Sequence, residues 1–343
     1  MVCSAAFGRC LQATIKRKVK KLETTIKDVA KYAGVGVGTV SRVINNEKAV
    51  GKETRQKVLD AMKALNYSRN NMAFRLRKNE TRIIALLVPV INHPFFAKLA
   101  YYVEDEAGKF GYSVILVSSQ QRVEKETEII NKIMHREVDG AVFVTHYMHE
   151  EEDLQNCPIV SIDRTFGKNI PYVTSDNYDA TKKAIKYMIE RGAEKVGFIG
   201  SKPLVTSEVS ERERAYLDVM AEYNMPPRII NEIIQHGEET LVVSDFMEKH
   251  PEVDGVFVSG YTLSQVFYEA ATELGRKIPD DLQIISYDGI FKQWGISNIT
   301  SVEQPIEEMA RQVVRLLVKK IHNEDTCQRT VIKTKFVLGT TTK

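Results

Sequence analysis

Cysteine is scarce and scattered: four in 343 residues, at positions 3, 10, 157 and 327, with no C-x-x-C pair. That excludes a disulfide framework and a thiolate zinc site, and it fits a reducing, cytoplasmic setting. The seven histidines show no metal-ligand spacing, so neither a metal nor another cofactor is expected. No apolar run approaches the roughly 20 residues of a membrane helix, and no membrane partner is expected. Phosphate-cradling loops of the G-x-G-x-x-G or P-loop kind are missing after every strand-like run. Nor does a nucleophile–base pair stand out, so the chain does not read as an enzyme.

Charge is what the chain has, unevenly placed. The first 80 residues hold 18 Lys and Arg against 6 Asp and Glu, and the remainder 30 against 39. A basic head on an acidic body points to a polyanion partner for the head alone, because each neutralised phosphate releases condensed counterions. Residues 1–22 contain no acid and read as a basic, disordered extension.

The stretch Thr25–Asn46 predicts two short helices and a tight turn. Thr25 can N-cap the first helix with Asp28 completing a capping box. Ile26, Val29 and Ala30 share one face, and Gly34 suits the left-handed residue that ends the helix. A second helix over 37–45 turns Val40, Val43 and Ile44 inward and Thr39, Ser41, Arg42 and Asn45 outward. A third, over 52–65, has Val58, Leu59, Met62 and Leu65 as its expected buried stripe. This is a helix-turn-helix, whose second helix lies in the DNA major groove.

The wording D-V-A-x-x-A-G-V-x-x-x-T-V-S-R-V-I-N resembles the opening of the LacI/GalR family of bacterial repressors. The resemblance implies a DNA-binding domain over 23–68, with contacts from Thr25, Val37, Gly38, Thr39, Ser41, Arg42, Asn45, Thr54, Arg55 and Tyr67. It also implies a hinge segment over 69–81 that folds on operator DNA, with Asn70 and Ala73 among its DNA contacts and Leu76 wedged into the minor groove. Two departures matter. Gly36 stands where the family has Ser, and Gly38 has no side chain at a base-choosing position, which leaves Val37 and Arg42 to read bases.

From Arg82 onward, strands alternate with helices, and the phrase V-D-G-A-V-F-V at 138–144 returns, one residue shorter, as V-D-G-V-F-V at 253–258. The fold class expected is therefore α/β: a three-helix head plus two doubly wound parallel-sheet lobes over 82–343. Ligands in such folds bind beyond the carboxyl ends of the strands. The resemblance adds a periplasmic-binding-protein-like body with a small-molecule effector, a mono- or disaccharide, and a homodimer on a pseudo-palindromic operator.

The effector candidates are polar or aromatic residues at strand ends: His93, Phe95, Phe96, Asp163, Arg164, Asp176, Arg212, Tyr261, Asp288 and Trp294. Carboxylates and a forked guanidinium pair with adjacent hydroxyls, and an aromatic face lies under a sugar ring. Plainer roles compete for some of them. Asp176 with Asn177 can cap a helix, Asp163–Arg164 can be a local ion pair, and Trp294 can plug a gap. Where the family has Ala-Asn-Asp, this chain has Ser259-Gly260-Tyr261, so the usual hydroxyl-pairing group is absent and Tyr261 offers a stacking ring instead. Rival readings are a sugar receptor without a DNA role, and a repressor governed by a phosphorylated carrier protein.

Overall fold

The computed structural model describes residues 24–343 except 46, 48, 68–79, 121, 146, 148, 151–153, 155, 235, 236 and 290–297. It divides into two units, Met1–Lys78 and Asn79–Lys343.

The first unit holds α1 (Ile26–Ala33), α2 (Val37–Ile44) and α3 (Lys52–Ala64). Its entry is a complete capping box: Asp28 N–H donates to Thr25 Oγ1 at 3.4 Å, and Thr25 N–H donates to Asp28 Oδ2 at 2.8 Å. Gly34 closes α1 at φ 67°, a left-handed geometry open to glycine without strain. The core is small: Val29, Ala30, Val40, Val43, Val58 and Ala61. One expectation fails here. Leu59 is 46% exposed and Ala61 takes the buried place, because the inward stripe of α3 runs 58, 61, 62, 65 at i, i+3, i+4, i+7 spacing.

The second unit builds two six-stranded sheets of one design. In lobe 1 the order is β11-β5-β4-β3-β1-β2, and in lobe 2 β12-β10-β9-β8-β6-β7. The first sheet uses β1 (Ile83–Val88), β2 (Ser113–Ser118), β3 (Gly140–Phe143), β4 (Ile159–Ile162), β5 (Tyr172–Ser175) and β11 (Arg329–Ile332). The second uses β6 (Val196–Ser201), β7 (Arg228–Glu232), β8 (Gly255–Ser259), β9 (Gln283–Tyr287), β10 (Thr300–Glu303) and β12 (Lys335–Val337). Ten strand pairs carry the sheets, and only β10–β12 runs antiparallel among them.

Helices cover both faces of each sheet, as buried parallel strands require. Lobe 1 packs α4 (Pro94–Lys109) and α10 (Ile306–Ile321) on one face and α5 (Val123–Met134) on the other. Lobe 2 packs α8 (Glu239–Lys249) and α9 (Tyr261–Glu273) on one face, with α6 (Asn177–Glu190) and α7 (Ser210–Glu222) opposite. The chain therefore crosses between lobes three times: after β5, after β10 and after β11. The helix following each inner crossing joins the other lobe.

The repeated V-D-G phrase has a structural cause. Asp139 accepts from the backbone N–H of Thr81 at 2.7 Å and of Arg82 at 2.8 Å, just before β1. Asp254 does the same for Glu194 at 3.0 Å and Lys195 at 2.8 Å, before β6. The glycine is required by contact: a Cβ on Gly140 would lie 2.6 Å from Pro158 O, and one on Gly255 would lie 2.9 Å from Ala193 Cβ. The phrase pins each central strand to its neighbour, and no ligand role is needed to explain it.

Candidate functional site

In the first unit, α2 presents a partly open polar face. Val37 is 43% exposed, Gly38, Arg42 and Asn45 are exposed, and Thr39 and Ser41 are half-buried. Nothing stands within 4 Å of where a Gly38 Cβ would be, so packing does not demand glycine there. Gly36 caps α2 without a side-chain bond. Other expected DNA residues have work inside the fold. Thr25 closes the capping box, and its hydroxyl also donates to Asp28 at 2.7 Å. Arg55 donates from Nη2 to Glu47 O at 2.5 Å, holding the α2–α3 connection. Thr54 is half-buried. Tyr67 packs against the small core, and its N–H bonds Met62 O at 2.8 Å. Asn70, Ala73 and Leu76 lie outside the described residues.

The second unit gathers most effector candidates at the carboxyl ends of its strands, between the lobes. Lobe 1 contributes His93, Phe95 and Phe96 at the start of α4, and Asp163 and Arg164 after β4. Lobe 2 contributes Arg212 in the first turn of α7, Tyr261 opening α9, and Asp288 after β9. Asp163 and Asp288 hold equivalent places and share a rare backbone, φ 60° and φ 69°. An aspartate tolerates that left-handed geometry better than most residues, and strain of this kind collects at functional sites. Trp294 is outside the described residues.

Arg212 is the best-determined member. It is 4% exposed, and its Nε donates to Asn177 Oδ1 at 2.7 Å while Nη1 donates to Ser259 Oγ at 3.4 Å. Its guanidinium carbon sits 3.5 Å from the centroid of the Tyr287 ring, a cation–π stack in a desolvated place. Burial pushes the Tyr287 hydroxyl well above its ordinary range, so it stays a hydrogen-bond donor. The phenol bonds Ser175 Oγ at 2.8 Å.

Asp163 is buried, and Thr174 Oγ1 donates to its Oδ1 at 2.6 Å. Burial raises its pKa, with the Thr174 bond and nearby Arg164 and Arg212 acting against the rise. Asp288 is half-buried and accepts from Gln304 Nε2. His93 caps α4, its Nδ1 accepting from Phe95 N–H at 3.3 Å. Its ring meets Phe96 at 5.2 Å and, across the cleft, the edge of Tyr261 at 5.7 Å. Burial lowers its pKa, and the charge of Asp288 opposes that. A narrow cleft with a cavity of about 60 Å³ runs among Phe95, Lys98, Tyr261, Asp288 and Glu303, below the roughly 300–1,000 Å³ of a small-molecule site, so a sugar needs the lobes to part. Tyr261, 7% exposed, is a wall of that cleft more than an open stacking platform.

Two plainer roles are corrected. Asp176 makes no side-chain cap on α6; its Oδ1 accepts from Thr334 N–H at 2.8 Å and its Oδ2 lies 3.3 Å from Lys333 Nζ. Arg164 does not turn to Asp163's carboxylate. Its Nε donates to Thr145 O at 2.8 Å and its Nη1 to Ser207 Oγ. It belongs to a stitch between lobes, in which Thr165 N–H bonds Thr206 O at 3.2 Å and Glu208 N–H bonds Asp163 O at 3.0 Å. Arg329 completes the stitch by gripping Glu208 with both arms of its fork, at 2.8 and 3.0 Å. Burial works against the Glu208 charge, but Arg329 and Tyr172 outweigh it and hold the carboxyl below its usual range.

The sequence reading missed Thr174, Ser175, Tyr287 and Gln304. Tyr287 was within reach as the neighbour of Asp288, in a strand already expected. The others depend on β5 and β10, four-residue strands with little alternation to show them.

A model of bacterial regulatory proteins, lacI family, matches residues 25–70, and a periplasmic-binding-protein-like domain model matches residues 185–342. The chain is 36% identical to the ribose operon repressor of Halalkalibacterium halodurans, over 93% of this chain and 97% of that one. It is 32% identical to the sucrose operon repressor of Streptococcus mutans, over 88% and 94% respectively. The lac repressor dimer, solved with operator and an anti-inducer, superposes with TM-score 0.81 over 93% of this chain and 98% of that one. At 19% identity that likeness speaks to the fold.

Proposed function

The chain belongs to the lacI family of bacterial regulatory proteins, and we propose that it represses transcription by gripping a pseudo-palindromic operator as a cytoplasmic homodimer until a small carbohydrate intervenes. One observation carries the effector half of this reading. Asp163, Asp288 and the stacked guanidinium of Arg212 converge at the ends of strands from two facing lobes. Fixed carboxylates accept from sugar hydroxyls, and a guanidinium whose Nε is committed to Asn177 keeps a defined direction for its other donors. Relatives named for ribose and sucrose operons favour a sugar over other small molecules.

For the DNA half, Val37 and Arg42 stand exposed on α2, where an apolar contact to a thymine methyl and a guanidinium to guanine would read bases. Leu76 is the proposed minor-groove wedge of the hinge. The homodimer has a supporting surface in the edge strands. Ile115 and Leu116 on β2 are 42% and 45% exposed, and Ile233, directly after β7, is 54% exposed. An uncovered apolar edge invites a second copy, and a two-fold pairing would cover it.

The test is a gel shift of the full chain on candidate palindromes against random duplex, with and without D-ribose or sucrose, paired with calorimetry of each sugar. Site-selective binding that a sugar shifts is the expected result. Arg42→Ala should cost about 1–3 kcal/mol on the preferred site and relax base choice at one position. Uniform weakening on all sequences would overturn direct readout, and sugar binding without any operator preference would leave a receptor instead of a repressor.

A further inference from the structure

We infer that Ser175 and Gln304 are positioning residues that couple the effector carboxylates to the inter-lobe crossings, so that sugar in the cleft is felt by the segments carrying one lobe against the other. This rests on the reading of Asp163, Arg212 and Asp288 as effector contacts.

The crossings are tied into one piece. Asp176, at the first, donates its N–H to Ile332 O at 3.1 Å and accepts from Thr334 N–H at 2.8 Å, at the third. Among the described residues, the second is joined to the first by a side-chain bond in which Ser175 Oγ donates to Gln304 Oε1 at 3.3 Å. These two residues are counterparts in the repeated topology. Asp163 N–H bonds Val173 O and Asp288 N–H bonds Val302 O, and Ser175 and Gln304 each stand two residues beyond those valines. The lobes thus touch each other through equivalent positions on their crossing strands.

Proton accounting fixes the direction of this contact. Asp288 is an acceptor, so the amide NH2 of Gln304 faces it and the amide oxygen faces Ser175. Ser175 spends its one proton on Gln304, so the Tyr287 phenol donates to Ser175. The Tyr287 ring in turn floors Arg212. On the other side, Asn177 Nδ2 donates to Thr174 Oγ1 and to Ser175 O, both at 3.1 Å, while Thr174 holds Asp163. Each proposed sugar contact therefore ends, within three bonds or stacks, on residues 174–177 or 304. A hydroxyl that binds Asp288 Oδ1 competes with Gln304 for that oxygen. Any change in Gln304 is handed to Ser175, at a place where lobe rotation must alter the backbone.

A network that merely stiffened the fold would shift stability and leave the coupling between sites alone. The quantity that separates the two is the ratio of sugar affinities measured without and with operator duplex, which linkage makes equal to the effect of sugar on operator binding. Calorimetry of the full chain with D-ribose and with sucrose as probes gives that ratio. The wild type should show a ratio of about fivefold or more. Ser175→Ala and Gln304→Leu should each bring it to within about twofold of unity, and the double variant should add little. Gln304→Glu keeps the oxygen for Ser175 but sets a carboxylate against Asp288. Its ratio should be low at neutral pH and recover as pH falls and the new acid is protonated. A wild-type ratio in all the variants overturns the inference while leaving the cleft reading intact. Failure of both probes to bind wild-type protein overturns the carbohydrate reading, and this inference with it.

Discussion

The two lobes repeat a topology and diverge in chemistry, and Asp163 and Asp288 show where the divergence enters. Both follow the third strand from the same edge of their sheets, and both adopt a left-handed backbone. Yet Asp163 is 7% exposed, held by Thr174 and roofed by the 206–208 segment stitched on from lobe 2. Asp288 is half-buried beside His93 and takes its donor from Gln304. The strand next to each aspartate decides this. One residue past its equivalent valine, lobe 1 has Thr174, which can donate, whereas lobe 2 has Glu303, which cannot when ionised. The backbone repeat places a carboxylate at each strand end, and the crossing strands set its partners and its solvation.

The comparison breaks most easily at Arg212, whose 3.5 Å stack on Tyr287 is much closer than the 5.1 Å approach of Arg82 to Tyr112 in lobe 1. Arg212→Ala should lower sugar affinity by 100-fold or more. It should also cost about 2–5 kcal/mol of stability, because the alanine leaves Asn177 Oδ1 and Ser259 Oγ without their donor and a void over the Tyr287 ring. Arg212→Lys should rescue little, since an ammonium cannot span Asn177 and Ser259 while lying flat on Tyr287. Sugar affinity within threefold of wild type in the alanine variant would remove Arg212 from the site.

A finer break exchanges charge for a neutral amide in each lobe. Burial already pushes the Asp163 carboxyl toward its neutral form, so Asp163→Asn should raise the melting temperature of the two-lobed unit by a few degrees while weakening sugar binding. Asp288→Asn, at the wetter position, should weaken sugar binding without that gain. Equal shifts in melting temperature would mean that the two strand ends are solvated alike.

Periodicity exposed much of this arrangement and concealed a definite part. The head was legible because capping and turn chemistry are local: Thr25, Asp28 and Gly34 announce α1 within ten residues. Strands β1, β3, β4, β6, β8 and β9 were legible as continuous apolar runs, and the V-D-G phrase disclosed the repeat. The crossings were not, because β5, β10, β11 and β12 are short and broken by Thr, Ser, Glu, Arg or Lys instead of being continuously apolar. Their partners are also distant, with Tyr172 pairing Arg329 across 157 positions. Asp163, Arg212 and Asp288 could be picked out by strand-end position. Ser175 and Gln304 matter through a contact between lobes that no window of sequence contains. Leu59 was misplaced for a smaller reason, since α3 is short and polar enough that one Ala can carry the stripe.

The smallest expected effect concerns His93, whose ring bridges to lobe 2 through Tyr261. Burial lowers its pKa from 6.5, although Asp288 pulls the other way. Between 6.5 and the lowered value the unfolded chain carries a proton that the folded chain refuses. Stability is therefore fully present above about 6.5 and declines as pH falls through the lowered value, by well under about 1.4 kcal/mol per pH unit. His93→Asn keeps an acceptor for the Phe95 N–H and removes the titration, so its melting temperature should vary less than the wild type's between pH 7 and 5.5. Parallel slopes for the two proteins would show that His93 titrates freely, and that the Tyr261 contact leaves it open to water.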